Sequence, residues 1–277
     1  MRDRKYIHET HIISDAFVPV IYHPCMVKQS CDGLPNWHEN IEFLCFYKGE
    51  GEIRLDTKCF KIRQGDIAIV NPEVMHQIVS DDTVEYHCLI VDKSFCEENA
   101  IDIFSLEFKE IIRDERLFSS FKSLIEKIEA LDSQDISAFK IPEARHALLG
   151  FLILLCKEHL TKASSSKELK ASSSERVKAV MLYLQDRIDE PITLDDVSRH
   201  IGISKYHLSR EFKSYTGKTM FDYLNTIRCT DAKRMLREGY TVSEAAAACG
   251  FESLSYFSRC FKKYIGERPS KYAKKLI

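Results

Sequence analysis

No two of the chain's 10 cysteines form a Cys-x-x-Cys pair, which removes the commonest zinc and dithiol signatures. Cys45, Cys88, Cys156 and Cys260 instead sit inside apolar or amphipathic runs, where a thiol acts as a small hydrophobe in a reducing compartment. Long apolar runs are missing as well. Ala147 to Cys156 is the longest, about half of the ~20 residues that a membrane-spanning helix needs. The opening Met1-Arg-Asp-Arg-Lys-Tyr-Ile-His lacks an apolar core of signal-peptide length, so the expected location is the cytoplasm, with no membrane partner.

A strong charge of one sign is also absent overall, since the 277 residues carry a net charge of −2. That balance hides an asymmetry. From Ala171 onward there are 19 Lys+Arg against 13 Asp+Glu, whereas the remainder has 21 against 29. A basic module joined to an acidic one is what a chain shows when only one part meets phosphate. Apolar residues make up 44%, enough for folded cores, and the length suits two domains.

The basic part contains a repeat. Thr193-Leu-Asp-Asp-Val-Ser-Arg-His-Ile-Gly202 returns as Thr241-Val-Ser-Glu-Ala-Ala-Ala-Ala-Cys-Gly250, 48 positions on. Beyond the glycine the offset becomes 49, pairing Arg210 with Arg259, Phe212 with Phe261, Lys213 with Lys262 and Gly217 with Gly266. A slip of one residue at the glycine turn is expected of two copies of a helix-turn-helix. Thr193 and Thr241 precede Asp196 and Glu244 by three residues, the capping-box spacing. In the second helix of each copy one face is apolar, Leu208 with Phe212 and Phe257 with Phe261. Another face carries Tyr206, Ser209, Arg210 and Lys213, matched 49 residues on by Ser255, Ser258, Arg259 and Lys262.

One basic helical face is usually only a solvated one, but the same face in register within two such frames points to double-stranded DNA. Between the copies, Lys218 to Glu238 carries Phe221, Leu224, Ile227, Met235 and Leu236 at helical spacing. Some 20 residues of helix span ~30 Å, close to the ~34 Å repeat of the double helix. Such a strut would hold two recognition helices in successive major-groove segments.

From about Arg176 to Tyr272 the chain resembles the DNA-binding domain of the AraC/XylS family of bacterial transcription regulators. The signature is Gly250-Phe-Glu-Ser…Tyr256-Phe-Ser-Arg-Cys-Phe-Lys-Lys-Tyr264…Gly266-Glu-Arg-Pro269-Ser-Lys-Tyr272. The resemblance implies seven helices in two helix-turn-helix units. It implies base contacts from Tyr206, Ser209, Arg210, Leu254, Ser255, Ser258 and Arg259, with Leu254 touching a thymine methyl or simply packing. Lys213, Lys262 and Lys263 are expected to neutralise phosphate. RNA polymerase is a further partner that the resemblance implies, and the expected place of action is the nucleoid.

The N-terminal part reads as strands: Phe17–Tyr22, Ile41–Tyr47, Glu52–Leu55, Lys58–Arg63, Asp66–Val70 and Val84–Val91. Short strands separated by Gly, Pro and Asn turns indicate an antiparallel sandwich or small barrel. His38-Glu-Asn-Ile-Glu42 reaching Gly49, and Gly65-Asp66…Asn71-Pro72…His76, resemble the two motifs of the cupin barrel and the sensor domain of AraC-type regulators. Alternation puts Glu42, Leu44 and Phe46 on one strand face, shared by His38 if the strand starts that early. Inside a barrel His38, Glu42 and His76 would converge, with Trp37 near the mouth. Three readings stay open for Trp37, His38, Glu42, Phe46 and His76. They form a pocket for a small polar effector, the favoured reading, or hold a divalent metal as metal-binding cupins do, or only satisfy one another. Asn36 stands where such cupins have a further histidine, so no metal ligand is assigned.

After Asp92 the pattern turns helical, with Phe121, Leu124, Ile125, Ile128 and Leu131 forming one stripe. A second helix runs from about Pro142 to Leu160, apolar over more than one face through Ala147, Leu148, Phe151, Leu152, Leu154 and Leu155. The resemblance turns that surplus into an expected homodimer contact. Thr161 to Ser174 is serine-rich and reads as a flexible linker.

The expected fold is therefore α+β, with a cupin-like antiparallel β-barrel over 1–100 and a helical, dimerising segment over 101–160. A linker over 161–174 leads to an all-α double helix-turn-helix domain over 175–277. The expected function is a ligand-responsive, sequence-specific transcription regulator, an activator rather than a repressor; a sugar effector is suggested by the relatives with similar barrels. No acid/base partner is identifiable, so no catalytic residue or cofactor is assigned and the chain is not read as an enzyme. Two rivals remain: a constitutive DNA-binding dimer whose barrel is a scaffold, and a metal-dependent cupin enzyme with a DNA-binding tail.

Overall fold

The structure, a computed structural model, describes residues 18–27, 34–132, 139–161 and 167–274. The described residues up to Thr161 form one compact unit and those from Lys167 form the other.

In the first unit β1 (Val20–Val27), β2 (Ile41–Lys48), β3 (Glu50–Leu55), β4 (Lys58–Arg63), β5 (Ile67–Val70), β6 (His76–Val79) and β7 (Val84–Val91) build two antiparallel sheets. Helix α1 (Lys93–Glu98) and the short strands β8 (Glu107–Phe108) and β9 (Ile111–Ile112) lead to α2 (Glu115–Glu129) and α3 (Lys140–His159). A two-residue strand, β10 (Leu160–Thr161), then pairs with β8. One sheet has the order β1-β7-β2-β5-β9 and the other β4-β3-β6. The expected closed barrel is thus two open sheets: β5 and β6 have only four residues each, too few to carry a ladder around both edges.

The period of two decides where β2 points its side chains. Phe43 and Cys45 face the helical pair, where Phe43 meets the ring of Phe151 at 5.0 Å and Phe151 meets Phe121 at 5.6 Å. Leu44 and Phe46 face the three-stranded sheet and pack with Ile53, Leu55 and Ile62. A central strand buried on both sides reads as a continuous apolar run, as Ile41 to Phe46 does apart from Glu42. Helix α2 begins at Glu115, earlier than its apolar stripe, because Asp114 caps it by accepting from the amides of Arg116 and Leu117. The helical pair belongs to the same body as the sheets rather than forming a separate segment.

The second unit has seven helices among the described residues: α4 (Lys167–Asp186), α5 (Leu194–Ile201), α6 (Lys205–Thr216), α7 (Met220–Arg237), α8 (Val242–Ala248), α9 (Leu254–Ile265) and α10 (Pro269–Lys274). The serine-rich stretch expected as a linker over 161–174 is shorter than that, since α4 takes it up from Lys167; 162–166 lie outside the described residues. Strut α7 is buried around most of its girth. Its first half offers Tyr223, whose ring meets Phe212 of α6 edge-on at 5.3 Å. The second half offers Cys229, Ala232, Met235 and Leu236 to Ala245, Phe251, Phe257 and Phe261. Phe221, placed by spacing with the strut's apolar set, is instead 45% exposed.

Candidate DNA interface and sensor site

Each repeat builds its presenting helix from the same local parts. Both capping boxes form: the amides of Asp196 and Glu244 donate to the hydroxyls of Thr193 and Thr241, each at 3.2 Å. The acid side chains accept in return from the threonine amides, at 3.1 and 2.8 Å. Two further caps obey the offset of 49. Ser204 caps α6 through the amide of His207, and Ser253 caps α9 through that of Tyr256. Gly217 and Gly266 close the two helices in the left-handed region.

The extra residue of the second copy falls in the turn, between Gly250 and Ser253. Gly250 is held at φ +72°, and a Cβ there would lie 2.7 Å from the carbonyl oxygen of Ile188 and 2.8 Å from Nη2 of Arg228. The close approach has a purpose. Arg228 on α7 donates to the carbonyls of Ile188 at 2.8 Å and Glu190 at 2.7 Å and lies 5.7 Å from the ring of Phe251, which holds the loop before α5 beside the turn after α8.

With Leu208, Phe212, Phe257 and Phe261 buried, the opposite faces are presented to solvent. Tyr206, Ser209, Arg210 and Lys213 on α6 are exposed, as are Leu254, Ser255, Arg259 and Lys262 on α9, while Ser258 is half-buried. Each arginine lies against a tyrosine ring of its own helix, Arg210 at 6.0 Å from Tyr206 and Arg259 at 5.9 Å from Tyr256. The Tyr256 hydroxyl accepts from Asn225 of α7 at 2.9 Å. The pairing leaves no trace in the sequence, because Tyr256 has no tyrosine counterpart in the first copy and Asn225 lies 31 positions away.

Lys263 departs from expectation. Its ammonium donates to Asp222 on α7 at 2.8 Å, and the same carboxylate oxygen accepts from the Tyr264 hydroxyl at 2.7 Å. Those bonds, Lys263 foremost, hold the Asp222 carboxyl well below its usual range. Lys263 therefore ties α9 to α7 rather than joining the outward basic face. On the far side of α6, Arg176 of α4 grips Glu211 with two bonds, 2.6 and 3.1 Å. Burial pushes the Glu211 carboxyl up, but the guanidinium and its neighbours prevail and hold it low.

In the first unit the structure brings His38, Glu42 and His76 together. Nε2 of His38 lies 3.0 Å and Nε2 of His76 2.9 Å from the same oxygen of Glu42. Nδ1 of His38 lies 2.9 Å from the carbonyl of Asn40, and Nδ1 of His76 lies 3.1 Å from that of Val74. A carbonyl only accepts, so each Nδ1 carries the proton. The Cys88 thiol donates to the other oxygen of Glu42 at 2.9 Å. Burial pushes the Glu42 carboxyl up, and the two imidazoles, His76 foremost, more than reverse this and hold it well below its ordinary range.

The trio is closed in, with Trp37 buried rather than at a mouth (3% exposed). Phe46, four positions beyond Glu42 on β2, packs on Tyr86 with ring centres 5.5 Å apart. Asn36, by main-chain bonds in both directions with His76, seats the start of β6 beside the loop before β2. A cavity of about 720 Å³ in this unit opens elsewhere, lined by Glu50, Glu52, Lys61, Arg63, Asp82 and Arg113 among others. No helix among the described residues is long and apolar enough to cross a membrane.

Comparison with known proteins bears on both units. Residues 34–149 match the AraC-like ligand binding domain and residues 197–275 a helix-turn-helix domain. An HTH-type transcriptional regulator of Bacillus subtilis (strain 168), YbfI, is 30% identical over 212 residues, 76% of this chain and 75% of its own. The HTH-type transcriptional activator RhaR of Cronobacter sakazakii is 25% identical, over 84% of this chain and 83% of its own. The crystal structure of ToxT from Vibrio cholerae O395 aligns with a TM-score of 0.44 at 16% identity, covering 93% of this chain and 98% of that one. A ligand-binding unit precedes a helix-turn-helix unit in one chain, and the chain is a ligand-responsive DNA-binding regulator belonging to the AraC family.

Proposed function

We propose that one subunit reads two adjacent major-groove segments, through α6 and α9. Arg210 and Arg259 are the bidentate guanine readers. Tyr206, Ser209, Ser255 and Ser258 contact neighbouring base edges, Leu254 meets a thymine methyl, and Lys213 and Lys262 neutralise phosphate. The observation that carries this reading is the outward presentation, in both repeats, of faces matched at an offset of 49 on identically capped helices. Helix α7 supports it: 18 residues span ~27 Å, a length suited to holding readers about one DNA turn apart.

The effector acts at His38, Glu42 and His76, with Trp37 and Phe46 completing the surrounding core. Two copies pair through α3, whose Ile153 is 42% exposed although the rest of its apolar surface is mostly turned into the unit. The protein acts at the nucleoid in the cytoplasm as a regulator and not an enzyme. It activates transcription through contact with RNA polymerase. Hydroxyl-radical footprinting of the full chain on its operator tests the DNA reading. Two protected segments per subunit, one helical turn apart on one face, are expected; a single protected segment contradicts it.

A further inference from the structure

The two outward-facing helices of the second unit carry their tyrosines one position out of step. The counterpart of Tyr206, 49 residues on, is Ser255, and the tyrosine of the second copy is the next residue, Tyr256. One residue turns a side chain by ~100° about the helix axis. On α6, Tyr206 stands in solvent, 77% exposed, and its hydroxyl has no hydrogen-bond partner among the described residues. On α9 the turned ring faces the strut and is 44% exposed. Its hydroxyl accepts there from Asn225 of α7 at 2.9 Å.

Both rings nevertheless lie beside an arginine. Arg259 follows Tyr256 by three residues and Arg210 follows Tyr206 by four, the two spacings that make neighbours on a helix. The guanidinium groups lie 5.9 and 6.0 Å from the ring centres. What differs is the support behind each ring: Arg259 rests on a surface anchored to the strut, Arg210 on a free one. Asp222 does not draw Arg259 away. It lines the same cavity of about 300 Å³ between α7 and α9, but its carboxylate is engaged by Lys263 and Tyr264. Those bonds tie the C-terminal end of α9 to α7, as the Tyr256 hydroxyl ties the N-terminal end. A side chain held before binding gives up less rotamer freedom on binding. A guanidinium that must meet two acceptors of one guanine gains from a fixed direction in a way that a point charge does not.

We propose that Tyr256 and Asn225 are positioning residues for the second reader. Asn225 anchors the Tyr256 ring, and the ring sets the direction from which Arg259 meets its base. The first reader has no such support. The inference rests on the reading of Arg259 as a guanine contact.

Binding-site selection from randomised DNA with the full chain tests it. Asn225→Ala, Tyr256→Phe and their double variant are compared with Arg210→Ala and Arg259→Ala, which mark the position each arginine reads. Asn225→Ala and Tyr256→Phe should each lower base preference at the Arg259 position by roughly threefold to tenfold, the effect of releasing one long side chain. Preference at the Arg210 position and the salt slope should stay as in the parent, since no phosphate contact is removed. The double variant should lose no more than either single one, because all three remove the same bond. Tyr256→Phe keeps the ring, so it tests the hydroxyl even if Asn225→Ala unsettles α7. Unchanged preference in Tyr256→Phe, with the position relaxed in Arg259→Ala, overturns the positioning role and keeps the reader. Selection of the parent's sequence by Arg259→Ala overturns both. Equal relaxation at the two positions, or weaker binding with preference intact, overturns the proposal by reducing the bond to a matter of stability. Losses that add in the double variant overturn it as well, by separating the two residues.

Discussion

Gly202 and Gly250 occupy the same place in the two repeats, and replacing each by alanine should have very different costs. Both have positive φ, +79° and +72°, so alanine pays about 1–2 kcal/mol for the left-handed backbone at either site. At Gly202 the added methyl meets nothing within 4 Å, and the loss ends there. At Gly250 it would lie 2.7 Å from the Ile188 carbonyl oxygen, which is backbone, and 2.8 Å from the Arg228 guanidinium. Arg228 is itself held by two carbonyls, so it cannot swing away without losing bonds to a charged group, about 1.5–3 kcal/mol. Gly250→Ala should therefore cost about 3–5 kcal/mol in all. Hydrogen exchange of α7 and α8 in the full chain measures this. Amides of Cys229 and Ala232 should exchange more than about a hundredfold faster in Gly250→Ala, and roughly 5- to 30-fold faster in Gly202→Ala. Equal acceleration in the two variants would refute the argument that Arg228 locks the loop to the turn.

Three other outcomes follow from the same geometry. Lys213→Ala should weaken DNA binding evenly across sequences and reduce the salt slope by about 1, whereas Lys263→Ala should leave the slope nearly unchanged because that ammonium serves Asp222; equal slopes for the two variants would contradict the assignment. Glu211 and Asp222 have folded-state pKa values below their ordinary ones, so each contributes stability present above its unfolded pKa of ~4 and lost as pH falls through the folded value. The melting temperature of the helical unit should accordingly drop below about pH 4, and Glu211→Gln should make that drop shallower; an identical acid profile would exclude Glu211. Phe257→Ala, emptying the core beneath α9, should cost about 3–5 kcal/mol in urea unfolding followed by helical signal, and a cost under about 1 kcal/mol would refute the packing described.

The helical unit was legible because its information is local. Thr193 with Asp196, Thr241 with Glu244, and the apolar pairs of α6 and α9 all lie within one or two turns of helix, and repetition doubled each signal. Ser204 and Ser253 carry the same kind of signal, each a serine three residues before the amide it caps. What stayed illegible depends on distant partners. Lys263 looks like a phosphate ligand until Asp222, 41 positions earlier, is placed beside it. Phe221 obeys the strut's spacing, but its ring lines an open cavity with Asn225 of α7 and Tyr256 and Arg259 of α9 and stays exposed.

In the first unit the apolar runs of β2 and β7 are plain in the sequence, whereas the four residues of β6 carry too little pattern to be read as a strand. Barrel closure is a property of edges and register, which no single strand encodes. His38, Glu42 and His76 were recognised as a set, yet their shared oxygen, the Cys88 anchor and the burial of Trp37 emerge only from the pairing of sheets.

The most direct test of the central claim is binding-site selection from randomised DNA with the parent chain, Arg210→Ala and Arg259→Ala. Each arginine variant should lose preference at one position, in two different segments about one helical turn apart, at ~1–3 kcal/mol each. Should both variants select the parent's sequence, or both relax the same position, the duplicated helix-turn-helix would not be reading DNA as described.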